Sequence, residues 1–335
     1  KEAETFPSES SRMKPERVRH QGEQPPTPIR HCKGSEKIMK RTGFIAIVGR
    51  PNVGKSTLLN AILGEKVAIV SNKPQTTRNR IIGIHTVGED QFVFLDTPGI
   101  HMPKDSLGDY MVNTANSTMH DADAVVLVVD AGKPATSVEE NVIRYLKESC
   151  VPGILVLNKI DLYGREQIAE TIALYAAKHT FAAVVPICAK NNRYVNEVLD
   201  ECKPFLSESE WYYDDDIVTD QPERQMAAEI IREKLLRTLN KEVPHGIAVM
   251  IEEFKREGSL IRIHAIIYCE KESHKGIIVG KNGQELKMVG SYARADLEEL
   301  LGSKVYLNLW VKVKPNWRED EKAVMNFGYN AKDDN

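Results

Sequence analysis

The sequence has no apolar stretch approaching the ~18 residues that a membrane-spanning helix needs. Its strongest runs, such as Ala124–Val129, have the length of a buried strand. The five cysteines, Cys32, Cys150, Cys188, Cys202 and Cys269, form no C-x-x-C pair. Thiols scattered in this way argue against a disulfide frame or a zinc site and fit a reducing compartment. Charge of neither sign dominates: 45 Lys and Arg stand against 48 Asp and Glu, so any case for nucleic acid must be local. Nothing resembles a serine or cysteine triad, and no internal repeat is present. His101 and His120 carry no patterned partners and read as solvated loop residues rather than general bases.

What is present is a chain of 335 residues, 41% hydrophobic, long enough for two domains. Residues 1–42 hold five prolines and many Ser, Glu and Arg without apolar periodicity, and a disordered extension is expected there. Glu2, Glu4, Glu9, Glu16 and Glu23 argue against a transit peptide, and Met39 is an attractive natural start. These features favour a bacterial cytoplasm, with an organelle as the alternative. Residues 43–206 alternate strand candidates (44–48, 81–87, 91–95, 124–129, 153–157, 183–187) with helical patterns (about 55–63, 137–149, 165–178, 193–206). Such alternation predicts a mostly parallel six-stranded α/β sheet with helices on both faces. Residues 207–221, with Trp211-Tyr212-Tyr213 and an acidic run, read as a linker whose aromatics pack on a neighbouring surface. Residues 222–314 read helix, strand, strand, helix, helix, strand, an α+β domain, and 315–335 read as a C-terminal tail.

The run Phe44–Val48 leads into "GRPNVGKS", residues 49–56. Gly49 and Gly54 bracket four residues and Lys55-Ser56 follows, a phosphate-binding loop between strand and helix. Glycines let the backbone amides of Arg50, Pro51, Asn52 and Val53 and their neighbours curl around phosphate; proline contributes shape only. The following helix N-terminus, with Thr57, adds to the attraction. Lys55 is expected on the outer two phosphates and the Ser56 hydroxyl on Mg²⁺. Asp96-Thr97-Pro98-Gly99 follows the third strand. Asp96 is placed to hold Mg²⁺, and Gly99 can bring its amide to the terminal phosphate. Asn158-Lys159-Ile160-Asp161 follows the strand at 153–157. A carboxylate at Asp161 can accept from both N1–H and the 2-amino group of guanine, donors that adenine lacks. The ligand is therefore GTP or GDP rather than ATP. Cys188-Ala189-Lys190 supplies backbone contacts to the base. "NKPQTTRNR", 72–80, reads as a switch whose Thr77 closes on Mg²⁺, and 97–117 as a second switch loop. Lys55, Thr77, Asn52 and Gly99 form the expected catalytic set. Ile100 stands where a water-orienting glutamine is found in Ras-like enzymes, so slow intrinsic hydrolysis is expected.

"GRPNVGKS", "PQTTR", "DTPG" and "NKID", in this order, resemble the Era family of GTPases. The resemblance extends from about residue 41 to 330 and includes "DIVTDQPER" (216–224) and "NWREDE" (316–321). Cys188 departs from the family's usual serine. The resemblance implies that 222–314 is a type II KH domain whose Gly280-Lys281-Asn282-Gly283 loop, with Ile278 and Val279 beside it, clamps about four nucleotides of single-stranded RNA. That segment carries sixteen basic and thirteen acidic residues, a weak positive bias. The resemblance also implies the 3′ end of small-subunit (16S-type) rRNA and the 30S subunit as partners, peripheral association with the membrane surface, a monomer, and a role in ribosome assembly. In related GTPases an asparagine at the place of Asn52 helps hold K⁺. The competing reading is a nucleotide-gated adaptor at RNA or membrane with negligible hydrolysis. A tRNA-modifying GTPase fits less well, because that family's folate-binding domain and C-terminal cysteine motif are missing.

Overall fold

A computed structural model describes residues 39–239 and 243–330. The extension expected over 1–38 lies outside the described residues. The N-terminal domain runs β1 (Arg41–Val48), α1 (Lys55–Leu63), β2 (Ile81–Val87), β3 (Asp90–Asp96), α2 (Ser106–His120), β4 (Ala124–Asp130), α3 (Ser137–Ser149), β5 (Gly153–Asn158), α4 (Arg165–Ala176), β6 (Ala183–Pro186), α5 (Val195–Cys202) and β7 (Ser207–Glu208). Six strands lie in the order β2-β3-β1-β4-β5-β6. The short β7 joins β1 antiparallel, so the sheet has seven strands rather than six. All neighbours on the main path are parallel except β2 and β3, a hairpin turned at Gly88. β1 starts at Arg41, inside the expected extension. Its guanidinium holds the Asp90 carboxylate with bonds of 2.7 and 2.8 Å, which fastens the strand end.

The central strands are covered on both faces, which is why β4 reads as unbroken apolar sequence. Ile45, Ile47, Val126 and Val128 pack against Leu58 and Leu59 of α1 and Val198 and Cys202 of α5. Their chain neighbours Ala46, Val48, Val125 and Leu127 pack the opposite way, against Met119 of α2, Val142 and Leu146 of α3 and Tyr175 of α4.

α2 corrects the reading of 97–117 as loop. Its cues are a cap and a stripe. The Asp105 carboxylate accepts from the Gly108 amide at 2.8 Å, and Leu107, Met111, Ala115 and Met119 recur every fourth residue. Gly108, Asn113, Thr114, Asn116 and Ser117 lie between them, so summed helix propensity is low and the signal is diluted.

The C-terminal domain runs α6 (Glu223–Thr238), β8 (Ala248–Glu257), β9 (Leu260–Cys269), α7 (Glu272–Val279), α8 (Gln284–Leu301) and β10 (Lys304–Val313). Its sheet has the order β10-β9-β8, with β10 parallel and β8 antiparallel to β9. The alternating row Ile261, Ile263, Ala265, Ile267 faces Ile231 and Leu235 of α6 and Val289, Ala293 and Leu297 of α8.

Residues 315–330 are not a loose tail. They carry α9 (Glu321–Asn326), and Trp317, Ala323, Val324 and Tyr329 are buried with Leu107 and Met111 of α2 and Ala248 of β8. Full burial of side chains such as Leu107 and Met111 contributes about 2–3 kcal/mol each. The aromatic segment 211–213 lies on the β2–β3 hairpin. The Trp211 indole donates to the Glu89 carbonyl at 3.1 Å, and the Tyr212 and Tyr213 amides donate to Gln91 Oε1 at 3.0 and 3.1 Å.

Candidate functional site

The loop between β1 and α1 is shaped by two glycines that no other residue could replace. Gly49 has φ +148°, and a Cβ there would lie 2.3 Å from the Val128 carbonyl oxygen. Gly54 has φ +103°, and a Cβ would lie 2.2 Å from Asn158 Nδ2. Lys55 begins α1 and turns back across the loop, donating to the Gly49 and Arg50 carbonyls at 3.2 Å each. Burial pushes its pKa down, with Asp96 pulling the other way. The loop is therefore an arch of amides closed by an ammonium, a shape suited to phosphate.

Three oxygens converge beside it. Ser56 Oγ lies 2.7 Å from Thr77 Oγ1 and donates to Asp96 Oδ2 at 2.6 Å. Asp96 is fully buried, and its other oxygen, Oδ1, has no hydrogen-bond partner. Burial raises its pKa to about 6, against the pull of Lys55, Ser56 and Thr77. A buried carboxylate with an orphaned oxygen between two hydroxyls fits a hard divalent cation such as Mg²⁺, whose remaining ligands come from water and phosphate. Among the described residues no group of three His, Cys, Asp or Glu side chains could hold a metal by itself.

Gly99 sits against the loop: a Cβ would meet Pro51 at 2.8 Å, and the next amide, Ile100, donates to the Gly49 carbonyl at 3.1 Å. Thr97 fixes the approach by donating its hydroxyl to the Ile47 carbonyl at 2.9 Å. Pro51, Asn52, Gly54, Lys55, Ser56, Thr57, Thr77 and Gly99 line one cleft, joined by Gln75 and Thr76. Ile100 is 8% exposed and packs in the core, so it has no reach into the cleft.

A second cluster lies at the ends of β5 and β6. Asn158 braces it, donating Nδ2 to the Val53 carbonyl at 2.8 Å and accepting the Lys159 and Ala189 amides on Oδ1 at 2.8 and 3.0 Å. Lys159 reaches the Asn52 carbonyl at 2.7 Å and Asp130 at 3.2 Å. The base-side loops are thus tied to the phosphate loop. Asp161 is exposed, and the Cys188 thiol donates to its Oδ1 at 3.0 Å. Burial first, then Asp161, raises the Cys188 pKa, so the thiol keeps the proton it donates.

Arg50 and Val53, expected through their backbone amides, send their side chains elsewhere, and one expected backbone contact, the Ala189 amide, is already engaged. The Arg50 side chain turns away from the phosphate loop to pair with the buried Glu139 of α3; only its backbone faces the cleft lysine. The Val53 side chain lies in the core. The Ala189 amide is taken by Asn158 rather than left for a base. Pro98 is buried and Lys190 exposed.

In the C-terminal domain, Gly280 (φ +71°), Asn282 (φ +52°) and Gly283 (φ +76°) turn the chain sharply between α7 and α8, with Lys281 exposed at the tip. Ile278 corrects the expectation of a groove-lining residue: it is fully buried in the domain core. Val279 is half-buried beside it. An open groove adjoins the loop at Gly283, between α8 and β10, lined by Leu286, Lys287, Arg294, Tyr306 and Leu309. Sequence reasoning missed these. Their signal was a basic, glycine-containing helix, with Lys287, Gly290 and Arg294 in register, directly after the loop.

Comparison with known proteins agrees with this geometry. Residues 44–159 match the family model described as "50S ribosome-binding GTPase", and residues 242–318 match the KH domain model. GTPase Era of Ruminiclostridium cellulolyticum is 48% identical over 290 residues, 86% of this chain and 97% of that protein. The chain belongs to the Era family of GTPases. Two solved Era structures superpose on it. One, a variant of Aquifex aeolicus Era bound to GDP·AlF4⁻, has 42% identity and a TM-score of 0.83, covering 86% of this chain and 99% of that one. The other, an Era in complex with MgGDPNP and nucleotides 1506–1542 of 16S ribosomal RNA, has 41% identity and a TM-score of 0.84, covering 87% and 99%. The fold is accordingly a P-loop GTPase domain followed by a KH domain.

In this Era-family GTPase, helix α6 of the C-terminal domain grips residues 66–76 of the N-terminal one. Arg232 is buried and donates to the carbonyls of Gln75, at 3.4 Å, and Thr76. Glu233 accepts the Val70 amide at 3.0 Å and the Lys66 ammonium at 2.7 Å. Arg237 donates to the Val70 carbonyl at 3.1 Å. Asp296 of α8 closes the cluster with Lys66 and Lys234. Burial pushes the Asp296 carboxyl up, but these two hydrogen-bonded ammonium groups win and hold it below the usual range. From the other side, Arg78 of the switch is buried among the KH domain and the C-terminal segment, donating to the Ile247 carbonyl at 2.7 Å and the His245 carbonyl at 3.0 Å. Arg318 pairs with Asp105 at the α2 cap and with Glu270.

Proposed function

We propose that this GTPase uses its nucleotide state to decide whether the KH groove holds single-stranded RNA. The proposed RNA is the 3′ end of small-subunit rRNA, and the proposed role is late assembly of the 30S subunit. The observation that carries the coupling is the double grip on residues 66–78, by Arg232, Glu233 and Arg237 on one side and by the Arg78 socket on the other. A third phosphate that draws Thr77 in, or releases it on hydrolysis, must move a segment whose flanks are held by the other domain. The rRNA assignment is supported by the solved relative that carries nucleotides 1506–1542 of 16S rRNA.

The catalytic geometry follows from the cleft. Ser56, Thr77 and Asp96 would hold Mg²⁺, which supplies charge neutralisation on the outer phosphates when bound. Lys55 exchanges its two carbonyl partners for phosphate oxygens, and the Gly99 amide adds a donor at the terminal one. Asp161 selects guanine. Asn52 spends its amide donor on the Asn72 carbonyl at 2.9 Å, which leaves its oxygen as a ligand for K⁺. Turnover in KCl against NaCl at equal ionic strength tests that point, and equal rates would remove it. The whole reading is tested by crosslinking a 16S 3′-end oligoribonucleotide to the protein. Labelled peptides are expected from 280–309, with yield that depends on GTP against GDP. Labelling elsewhere, or none, overturns the assignment.

A further inference from the structure

The position that holds a water-orienting glutamine in Ras-like enzymes is filled by Ile100, which is sealed in the core. The cleft holds another amide. Gln75 lies on the switch segment with φ +58°, a left-handed conformation uncommon for a residue with a side chain. It lines the cleft with Lys55, Thr77 and Gly99. Its Nε2 lies 3.4 Å from Nε2 of His101, and His101 Nδ1 lies 2.9 Å from the Gly99 carbonyl oxygen.

These contacts fix the orientation of the amide. A carbonyl only accepts, so the proton of the neutral imidazole sits on Nδ1 and is donated to Gly99. Nε2 is then an acceptor, and the Gln75 group facing it must be the NH₂. That leaves Gln75 Oε1, which is buried and has no hydrogen-bond partner. An amide oxygen oriented by a fixed neighbour and without a protein partner can accept from an attacking water once a third phosphate draws this segment inward.

We infer that Gln75 Oε1 accepts a proton-side hydrogen bond from the water that attacks the terminal phosphate, with His101 as its positioning residue. The inference rests on the GTPase reading of the cleft. Water oxygen forms a bond to the terminal phosphorus while the bond from that phosphorus to the bridging oxygen breaks. The electron pair leaves with GDP. One water proton ends on the released phosphate and the other passes to solvent. Gln75 stays a neutral amide throughout. Arg232 of the KH domain donates to the Gln75 and Thr76 carbonyls, so the backbone that aims this amide is held by the RNA-binding half of the molecule.

The test is single-turnover GTP hydrolysis by the full chain, with affinities for GTPγS and GDP·AlF4⁻ measured alongside. Gln75→Asn keeps a residue that tolerates the left-handed backbone but withdraws the oxygen, and Gln75→Ala removes it. Both are expected to lower the hydrolysis rate about 100-fold and to weaken GDP·AlF4⁻ binding in step, with GTPγS affinity held within about twofold. His101→Ala is expected to lose less, and to cost nothing further once Gln75 is Ala. A rate within about threefold of the parent for both Gln75 variants overturns the inference, as does a loss of GTPγS affinity equal to the loss of rate. If the parent chain itself hydrolyses no GTP in this assay, it is the GTPase reading that fails.

Discussion

Arg78 donates to the Tyr329 hydroxyl at 3.0 Å, joining a switch residue to one 251 positions later in the chain. The same guanidinium is stacked near the rings of Trp317 and Tyr329, at 5.7 and 5.5 Å. Burial pushes its pKa down, yet an arginine stays charged, so its carbonyl and hydroxyl partners are obligatory. Tyr329→Phe removes one bond and is expected to weaken docking of residues 315–330 by about 0.5–1.5 kcal/mol. Arg78→Ala takes the buried donor from the Ile247 carbonyl and the Tyr329 hydroxyl and is expected to cost about 1–3 kcal/mol. Hydrogen exchange of the amides at 317–329 reads this directly, and protection unchanged in Arg78→Ala contradicts it.

Asp96 gives the site a pH signature. Its folded pKa, raised to about 6 by burial, lies above the ordinary value of 3.8. Such a carboxyl favours the folded state below its unfolded pKa, and that contribution is lost as pH rises through about 6. The span corresponds to about 3 kcal/mol. Without metal and nucleotide, stability is expected to fall between pH 4 and 7 by up to this amount on account of Asp96. Mg²⁺ with GDP is expected to restore it, because the cation takes the proton's place on the Asp96 carboxylate. Asp96→Asn flattens the slope. Urea midpoints across this range check it, and parallel curves for parent and variant contradict it.

In the proposed function, guanine selection rests on Asp161 and on the thiol that touches it. Asp161→Asn is expected to move preference from guanine to xanthine nucleotides, because an accepting carboxylate becomes an amide. Cys188→Ala removes a weak donor and is expected to reduce GDP affinity by about 0.5–1 kcal/mol, whereas Cys188→Ser keeps it. Titration with labelled GDP and XDP checks both. Unchanged GDP affinity in Asp161→Asn removes the assignment.

The KH loop is best tested at its lysine. A side chain at Gly280 would collide with Glu285, whose Cγ lies 2.4 Å from an ideal Cβ, so substitutions there also distort the loop. Lys281→Ala removes charge alone. RNA affinity is expected to fall for all single-stranded sequences, and the slope of log affinity against log salt to lessen by about 0.7. Nucleotide affinity stays as it was. An unaltered salt slope shows that Lys281 meets no phosphate.

The strands and the phosphate loop were legible because their rules are local. Gly49 and Gly54 need positive φ, and β4 needs apolar residues on both faces. The order of elements in 222–314 was legible from period-two and helical stripes. What stayed hidden depends on partners distant in sequence. Arg232, Glu233 and Lys234 look like the wet face of an amphipathic α6, yet all three are buried, because the helix lies between its own sheet and the switch segment. Trp317 and Tyr329 read as part of a tail because the surface that covers them, α2, was itself unread. Gln75 lies within "PQTTR", but the motif gives it no role of its own, and only the His101 contact orients it.

In the proposed function the cleft and the groove are coupled. That coupling is tested most directly by the affinity of one 16S 3′-end oligoribonucleotide for the full chain loaded with GDPNP, with GDP, and empty, at fixed salt. A difference of about tenfold or more between GDPNP and GDP, near 1.4 kcal/mol, is predicted, and Arg78→Ala is predicted to erase it while still binding GDPNP. Equal affinities in all three states would contradict the account.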